Sequence, residues 1–398
     1  MLLGCSHDDG PIASPPSPEP PRALSEAERA LVEADNAFGF ELFRMVNEQD
    51  PGKNIFISPL SVSMALGMTL NGAAGSTLDS MRQTLECAGM TQQEINDSYR
   101  SLIELVVGLD PTVTSLIANS IWYRTGLAVR PEFIEVNRSY FNAEVSALDF
   151  SDPGAPAIIN AWVSRNTNGK IPDIIDDIPP EIMMYLIDAI YFKGTWTTRF
   201  DPKNTHDDAF QLIDGSSKGV RMMMLKDTMQ YWEGSDFQAV DLPYGDGFFS
   251  MTIVLPKPEK SIDGLVADFT RENWGQWVGA FRDKHGALEL PRFKLAYELE
   301  MNDVLRALGM AVAFEPCCAD FSGIADISQG RLYISEVKHK AFVEVNEEGT
   351  EAAAVTSVAI GKTSVGDSFS MKVDRPFLFV IREHHSNAII FTGKIIAP

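Results

Sequence analysis

The sequence predicts an α+β fold. Three observations lead there. Helix-like and strand-like stretches follow one another irregularly, without the repeating strand–helix–strand beat of a parallel sheet. The run 182–192 is almost wholly apolar, as a central strand covered on both faces would be. The 398 residues are 45% hydrophobic, enough for a large core in one big domain or two small ones, and no internal repeat divides them.

Each element carries its own signal. Residues 24–47 read as a helix, because Ser25 and Glu28 form a capping box and Leu31, Phe38, Leu42, Phe43 and Val46 make one apolar stripe. Ile55–Ile57 is a short buried strand that turns at Ser58 into a helix with Pro59 in its first turn. Residues 76–85 and 92–107 are further helices. Residues 115–123 and 143–150 read as strands, and 158–167 as a helix closed by Asn168, Gly169 and Lys170. Asp188 lies inside the apolar central strand and needs a partner. Met222, Met223 and Met224 read as filler beneath a sheet. Residues 238–242 and 248–255 flank a Pro/Gly turn as a hairpin. Residues 288–299 are a strand interrupted by Pro291, and 301–308 a helix stopped by Gly309. A strand over 333–345 and a buried hairpin of 377–381 with 388–393 complete the chain.

A net charge of −22 argues against nucleic acid, heparin-like polyanions and anionic membranes as main partners, and favours attraction to basic proteins. The four cysteines are Cys5, Cys87 and the adjacent Cys317 and Cys318, which give no disulfide framework. No Cys/His spacing suggests a zinc site. No apolar run reaches the roughly eighteen residues of a spanning helix. Met1-Leu2-Leu3-Gly4-Cys5 looks like the end of a bacterial lipoprotein signal, with Cys5 as the lipidated residue. The alternative is an arbitrary start with a free thiol. Residues 6–22 hold six prolines and read as an extended, disordered tether.

The stretch 346–376 reads both as an exposed loop and as a strand. It has no proline before its end, so it loses no backbone donor there. Thr350, Ala352, Ala354, Thr356 and Val358 share one parity and are small and uncharged, so that face can slide beneath a packed layer. Glu351 stays on the wet side. The alanine run is also compatible with a short surface helix.

Seven strings then meet in one order, from about residue 30 to the end: NIFISPLSVSMAL, TNGKIPDII, AIYFKGTW, VDLPYGDGFFSMTIVLP, LPRFKLAYELEMNDVLRALGM, ISEVKHKAFVEVNEEGTEAAA and DRPFLFVIREHHSNAIIFTGKI. Together they resemble the serpins, and a bacterial member if the signal at Cys5 is real. The resemblance implies a tether over 1–22 and one domain over 23–398. That domain would have three β-sheets, surrounding helices and an exposed reactive-centre loop, 347–375. It implies an irreversible suicide-substrate inhibitor of serine endopeptidases of elastase, trypsin or subtilisin type. A protease cleaves the loop and is acylated; the loop inserts into the large sheet and the enzyme is trapped. The partner is then a serine protease, or a papain-like cysteine protease, in a covalent complex with a monomeric inhibitor. No cofactor, metal or catalytic residue is implied. The location would be extracellular or cell-envelope, with a lipid anchor at Cys5.

Residue by residue, Glu347, Gly349, Thr350, Glu351, Ala352, Ala353 and Ala354 fall where the family has its hinge. Counting from Glu347 puts the scissile bond at Thr363–Ser364, with Lys362–Thr363 as the trypsin-type alternative. Trp196 matches the tryptophan at the top of the sheet, and Arg292 the basic partner of Glu347. Ser58, Ser61 and His339 match the polar cluster beneath the sheet centre. Asp188 stands there in place of an asparagine, and a charge-assisted pair with the imidazole is the expectation. A non-inhibitory serpin that binds, stores or chaperones is the alternative function. A serine hydrolase lacks its G-x-S-x-G elbow, and Gly361-Lys362-Thr363 lacks the earlier glycine of a phosphate loop. His206 with Asp207 and Asp208 reads as a polar loop rather than a metal site.

Overall fold

A computed structural model describes residues 21–326, 331–350 and 368–398, with Asp188 described in its backbone only. Cys5, Lys362, Thr363, Ser364, Glu351 and Ala352 to Ala354 lie outside the described residues.

The first third is mostly helical. Helix α1 (Glu26–Gln49) starts where the capping box places it: Ser25 Oγ accepts the Glu28 N–H, and Glu28 accepts the Ser25 N–H. Strand β1 (Ile55–Ile57) leads into α2 (Pro59–Leu70), capped by Ser58, and then α3 (Gly75–Thr84) and α4 (Gln92–Gly108). The middle alternates: β2 (Val113–Arg124), α5 (Pro131–Phe141), β3 (Glu144–Leu148), α6 (Ala155–Asn166) and β4 (Met184–Thr195). Next come β5 (His206–Gln211), β6 (Ser217–Glu233), β7 (Phe237–Tyr244), β8 (Phe249–Pro256), α7 (Ile262–Ala267), α8 (Arg271–Ala280), β9 (Arg282–Pro291), β10 (Phe293–Glu300) and α9 (Asn302–Leu305). The end of the chain supplies β11 (Lys338–Asn346), β12 (Gly349–Thr350), β13 (Phe369–Lys372), β14 (Phe377–Glu383) and β15 (Ile389–Ile395).

Among the described residues the strands form two networks. One is six-stranded, in the order β10-β11-β12-β4-β2-β3. The other is nine-stranded, β1-β15-β14-β8-β7-β6-β9-β13, with β5 on β6. Of the three sheets the family resemblance implies, two are joined by backbone pairing through β6. The start of that strand pairs with β5 and its end with β7. Every residue of β14 and β15 is buried, and β14 lies between β8 and β15. The main core lies between the strands and α1 and α2, with Phe38, Phe43, Phe56, Phe249 and Phe377 among its largest sealed side chains. A second cluster seals the opposite face of β2 and β4. There Ile159, Trp162 and Val163 of α6 meet Trp122, Tyr185 and Ile187.

Some expectations need correction. Residues 288–299 are two strands in two different networks, not one interrupted strand. Pro291 still occupies a register position opposite Met222, and the chain changes sheet at Arg292. The helix that starts at Asn302 does end at Gly309, where φ is 112° and leaves helical space, and a separate short helical turn, Ala311–Phe314, follows it. The expected strand over 333–345 begins only at Lys338. Cys317 and Cys318 are bonded to each other, and Cys87 is free and buried.

Candidate functional site

The described part of the expected hinge, residues 347–350, is a short turn with a two-residue strand. Asn346 Oδ1 accepts the Glu348 N–H at 2.9 Å and tightens the turn. Gly349 and Thr350 then pair with Asn346 and Val345 on one side and with Thr195 and Gly194 on the other. They thus occupy a strand position between β11 and β4. Glycine is required at 349: φ is +150°, and a Cβ would overlap the Gly194 carbonyl and sit 2.7 Å from Thr195 Cα. Thr350 is 2% exposed, and its Oγ1 lies 2.6 Å from the Tyr244 hydroxyl.

Trp196 and Arg292 hold the turn. The Trp196 ring N–H donates to the Asn346 carbonyl at 3.0 Å, and its backbone N–H to the Glu348 carbonyl at 2.8 Å. Its ring stacks on Tyr244, with centroids 4.4 Å apart and planes 12° from parallel. Glu347 is buried. One of its oxygens accepts from Arg292 Nε at 2.9 Å, Arg292 Nη2 at 2.5 Å and Thr205 Oγ1 at 2.5 Å. Burial pushes this carboxyl up, but the Arg292 and Thr205 hydrogen bonds outweigh it and leave the pKa below the ordinary glutamate value.

The central cluster is of another kind. Ser58 Oγ donates to the Ile390 carbonyl at 2.7 Å and accepts the Ser61 N–H at 3.2 Å. His339 Nε2 accepts the Ser58 N–H at 3.3 Å. Full burial pushes the His339 pKa down to about 4, so the ring is neutral at neutral pH. The expected charge-assisted pair would join this ring to the Asp188 carboxylate, and it needs only the carboxylate to be ionised. That partner's side chain lies outside the description; its backbone pairs opposite Asn119.

Comparison with known proteins decides the family. A model described as serpin (serine protease inhibitor) matches residues 33–398. The chain belongs to the serpins. It is therefore an inhibitor-family protein and not an enzyme. It is 35% identical to human serpin B8 over 376 residues, covering 92% of this chain and 99% of that one. It is 31% identical to human antithrombin-III, covering 95% of this chain and 84% of that one. Among solved structures, the native thermophilic serpin tengpin superimposes with a TM-score of 0.86 at 32% identity, covering 95% of this chain and 96% of that one. Human thyroxine-binding globulin complexed with thyroxine also gives 0.86, at 27% identity, covering 94% of this chain and 99% of that one.

In this serpin a cleft of about 570 Å³ opens beside the hinge, lined by Arg292, Lys294, Glu344, Glu347, Glu348 and Pro398. At the other end of the loop, β13 pairs in parallel with β9, and Phe369 stacks on Tyr231 with centroids 4.0 Å apart. Two hinge contacts escaped the sequence reading. Tyr244 sits within a quoted string without being singled out. Thr205 carries no signal, because it reaches Glu347 across 142 positions of chain.

Proposed function

We propose that this serpin is an irreversible suicide-substrate inhibitor of serine endopeptidases of elastase, trypsin or subtilisin type. The supporting observation is the seat of Gly349 and Thr350 between β11 and β4. The chain after them continues with small side chains on the buried parity, so nothing in its composition opposes a longer insertion. About ten further ladder bonds, at ~0.5–1.5 kcal/mol net each, would release ~5–15 kcal/mol. That rivals the stability of a whole domain, so the uninserted form is held by a barrier. Thr363–Ser364 is the proposed scissile bond, with Lys362–Thr363 as the trypsin-type alternative. Incubation with trypsin, elastase and subtilisin tests this. An SDS-stable adduct is expected, and the mass of the released peptide fixes the bond.

A second reading, non-inhibitory binding, draws on the likeness to thyroxine-binding globulin. Clean cleavage without adduct, and a nicked form no more heat-stable than the intact one, would favour it. The bacterial, extracytoplasmic and lipid-anchored aspects rest on residues 1–22 of the sequence. The mass of the N-terminal peptide from its native host tests acylation of Cys5. We also propose a monomer, which sedimentation checks.

A further inference from the structure

His206 and Asp208 lie two apart on β5 and so share a face. Glu289 of β9 reaches the same point. His206 Nε2 is 3.5 Å from Asp208 Oδ2 and 3.6 Å from Glu289 Oε2, and the three ligand atoms all fall within 4.8 Å of one another. In a tetrahedral zinc site with bonds of about 2.0–2.2 Å, ligand atoms stand roughly 3.3–3.6 Å apart. The other ring nitrogen, Nδ1, faces the Asn204 carbonyl at 3.3 Å. A carbonyl only accepts, so with a metal on Nε2 the ring would keep its proton on Nδ1 and point it at Asn204. Three electron-pair donors therefore converge.

One cation is already near. Lys372 of β13, paired in register with Glu289, places its Nζ 2.7 Å from Asp208 Oδ2. That hydrogen bond holds the Asp208 carboxyl below the usual aspartate range. Asp208 Oδ1 accepts the Ala209 N–H at 2.8 Å, which fixes the carboxylate in place. Arg221 is turned instead to Asp207, on the opposite face, at 3.0 Å. Lys372 is 40% exposed on a flexible stem and can swing into solvent.

We propose that His206 Nε2, Asp208 Oδ2 and Glu289 Oε2 form a site for a divalent transition metal, zinc by donor type, with water as fourth ligand, in competition with the Lys372 ammonium. The donor set of one imidazole and two carboxylates suits zinc better than magnesium or calcium. Metal entry displaces Lys372 from Asp208 and removes a tie between β5 and β13, the strand at the C-terminal end of the reactive-centre loop. The proposal stands whether or not the protein inhibits a protease.

The test uses the full chain, freed of metal by a chelator and titrated with zinc chloride by calorimetry and with cobalt(II) by visible absorption. One saturable site with the intense bands of four-coordinate cobalt is expected. His206→Ala and Glu289→Gln should each weaken binding at least about tenfold. Lys372→Ala should tighten it by about tenfold, because a like charge beside the ligand is gone. Thermal unfolding without metal verifies that each variant is folded. An absence of saturable binding, binding that survives His206→Ala, or a Lys372→Ala variant that binds more weakly would overturn the assignment.

Discussion

The hinge end of the six-stranded sheet and its centre are fastened by different physics. At the hinge, Glu347 meets a guanidinium that is 43% exposed, and Trp196 is stacked and hydrogen-bonded onto the turn. At the centre, Ser58, Ser61 and His339 are 3% exposed or less and exchange neutral hydrogen bonds. The hinge should thus respond to salt and to single contacts, and the centre to packing and to whether the imidazole stays neutral.

Replacing Thr350 with arginine tests the comparison hardest. It forces a charge into a sealed position against Tyr244, where an unpaired ion costs ~3–5 kcal/mol. The hinge strand should leave the sheet, and the SDS-stable adduct should give way to simple cleavage. An adduct formed in full yield would remove the hinge from the argument. Trp196→Ala is next. It deletes a buried indole and one bond to Asn346, for a loss of ~3–5 kcal/mol in urea unfolding. A loss under about 1 kcal/mol would mean that the stack on Tyr244 is incidental.

Acid probes the centre. The folded-state pKa of His339 is about 4, against 6.5 when free, so the unfolded chain holds the extra proton between those values. Stability should therefore fall as pH drops from 6.5 toward 4, by about 3 kcal/mol at ~1.4 kcal/mol per pKa step. A second sealed group runs the other way. Asp35, on the buried face of α1, takes a hydrogen bond from the Tyr99 hydroxyl at 3.0 Å, and burial pushes its pKa up to about 7 from 3.8. Here the folded state holds the proton, so stability falls as pH rises through that window. The two slopes oppose each other in the native sequence. Asp35→Asn should expose the His339 slope between pH 5 and 6.5, and a flat profile in that variant would refute the neutral-imidazole account.

The smallest effect belongs to Arg292→Ala. Its partner Glu347 is left buried, yet the arginine is open to water, so ~1–2 kcal/mol is expected, shrinking in high salt. The carboxylate's depressed pKa adds that its share is complete above pH 4.5 and disappears as the medium becomes more acid than that. A cost matching that of Trp196→Ala would make the hinge an electrostatic lock first and an aromatic one second.

Local signals in the sequence were legible. The Ser25/Glu28 box located α1, and the paired apolar runs around 377–393 located the closing hairpin. Strands β5 and β6 carry no clear signal, because Lys218, Arg221, Lys226 and Asp227 break up an alternation that packs only in part. Helices α5, α7 and α8 carry little either, being short or mostly exposed. Among functional residues, motif strings gave Trp196 and Arg292, whereas Thr205 and Glu289 act across long chain separations that no spacing encodes. The sequence presents His206, Asp207 and Asp208 as one polar loop, whereas they open strand β5. Strand parity removes Asp207 from that face, and β9 supplies Glu289 in its place.

The closing hairpin has a consequence for how the molecule is made. Ile55 finds its ladder partner in Lys394, and β8 finds its neighbour in β14. A nascent chain on the ribosome therefore carries open apolar edges until β14 and β15 have been made. Translation that halts before β14 would release a product whose β1 lacks its ladder partner and whose β8 is paired on its β7 side only, a natural client for chaperones or a seed for aggregates.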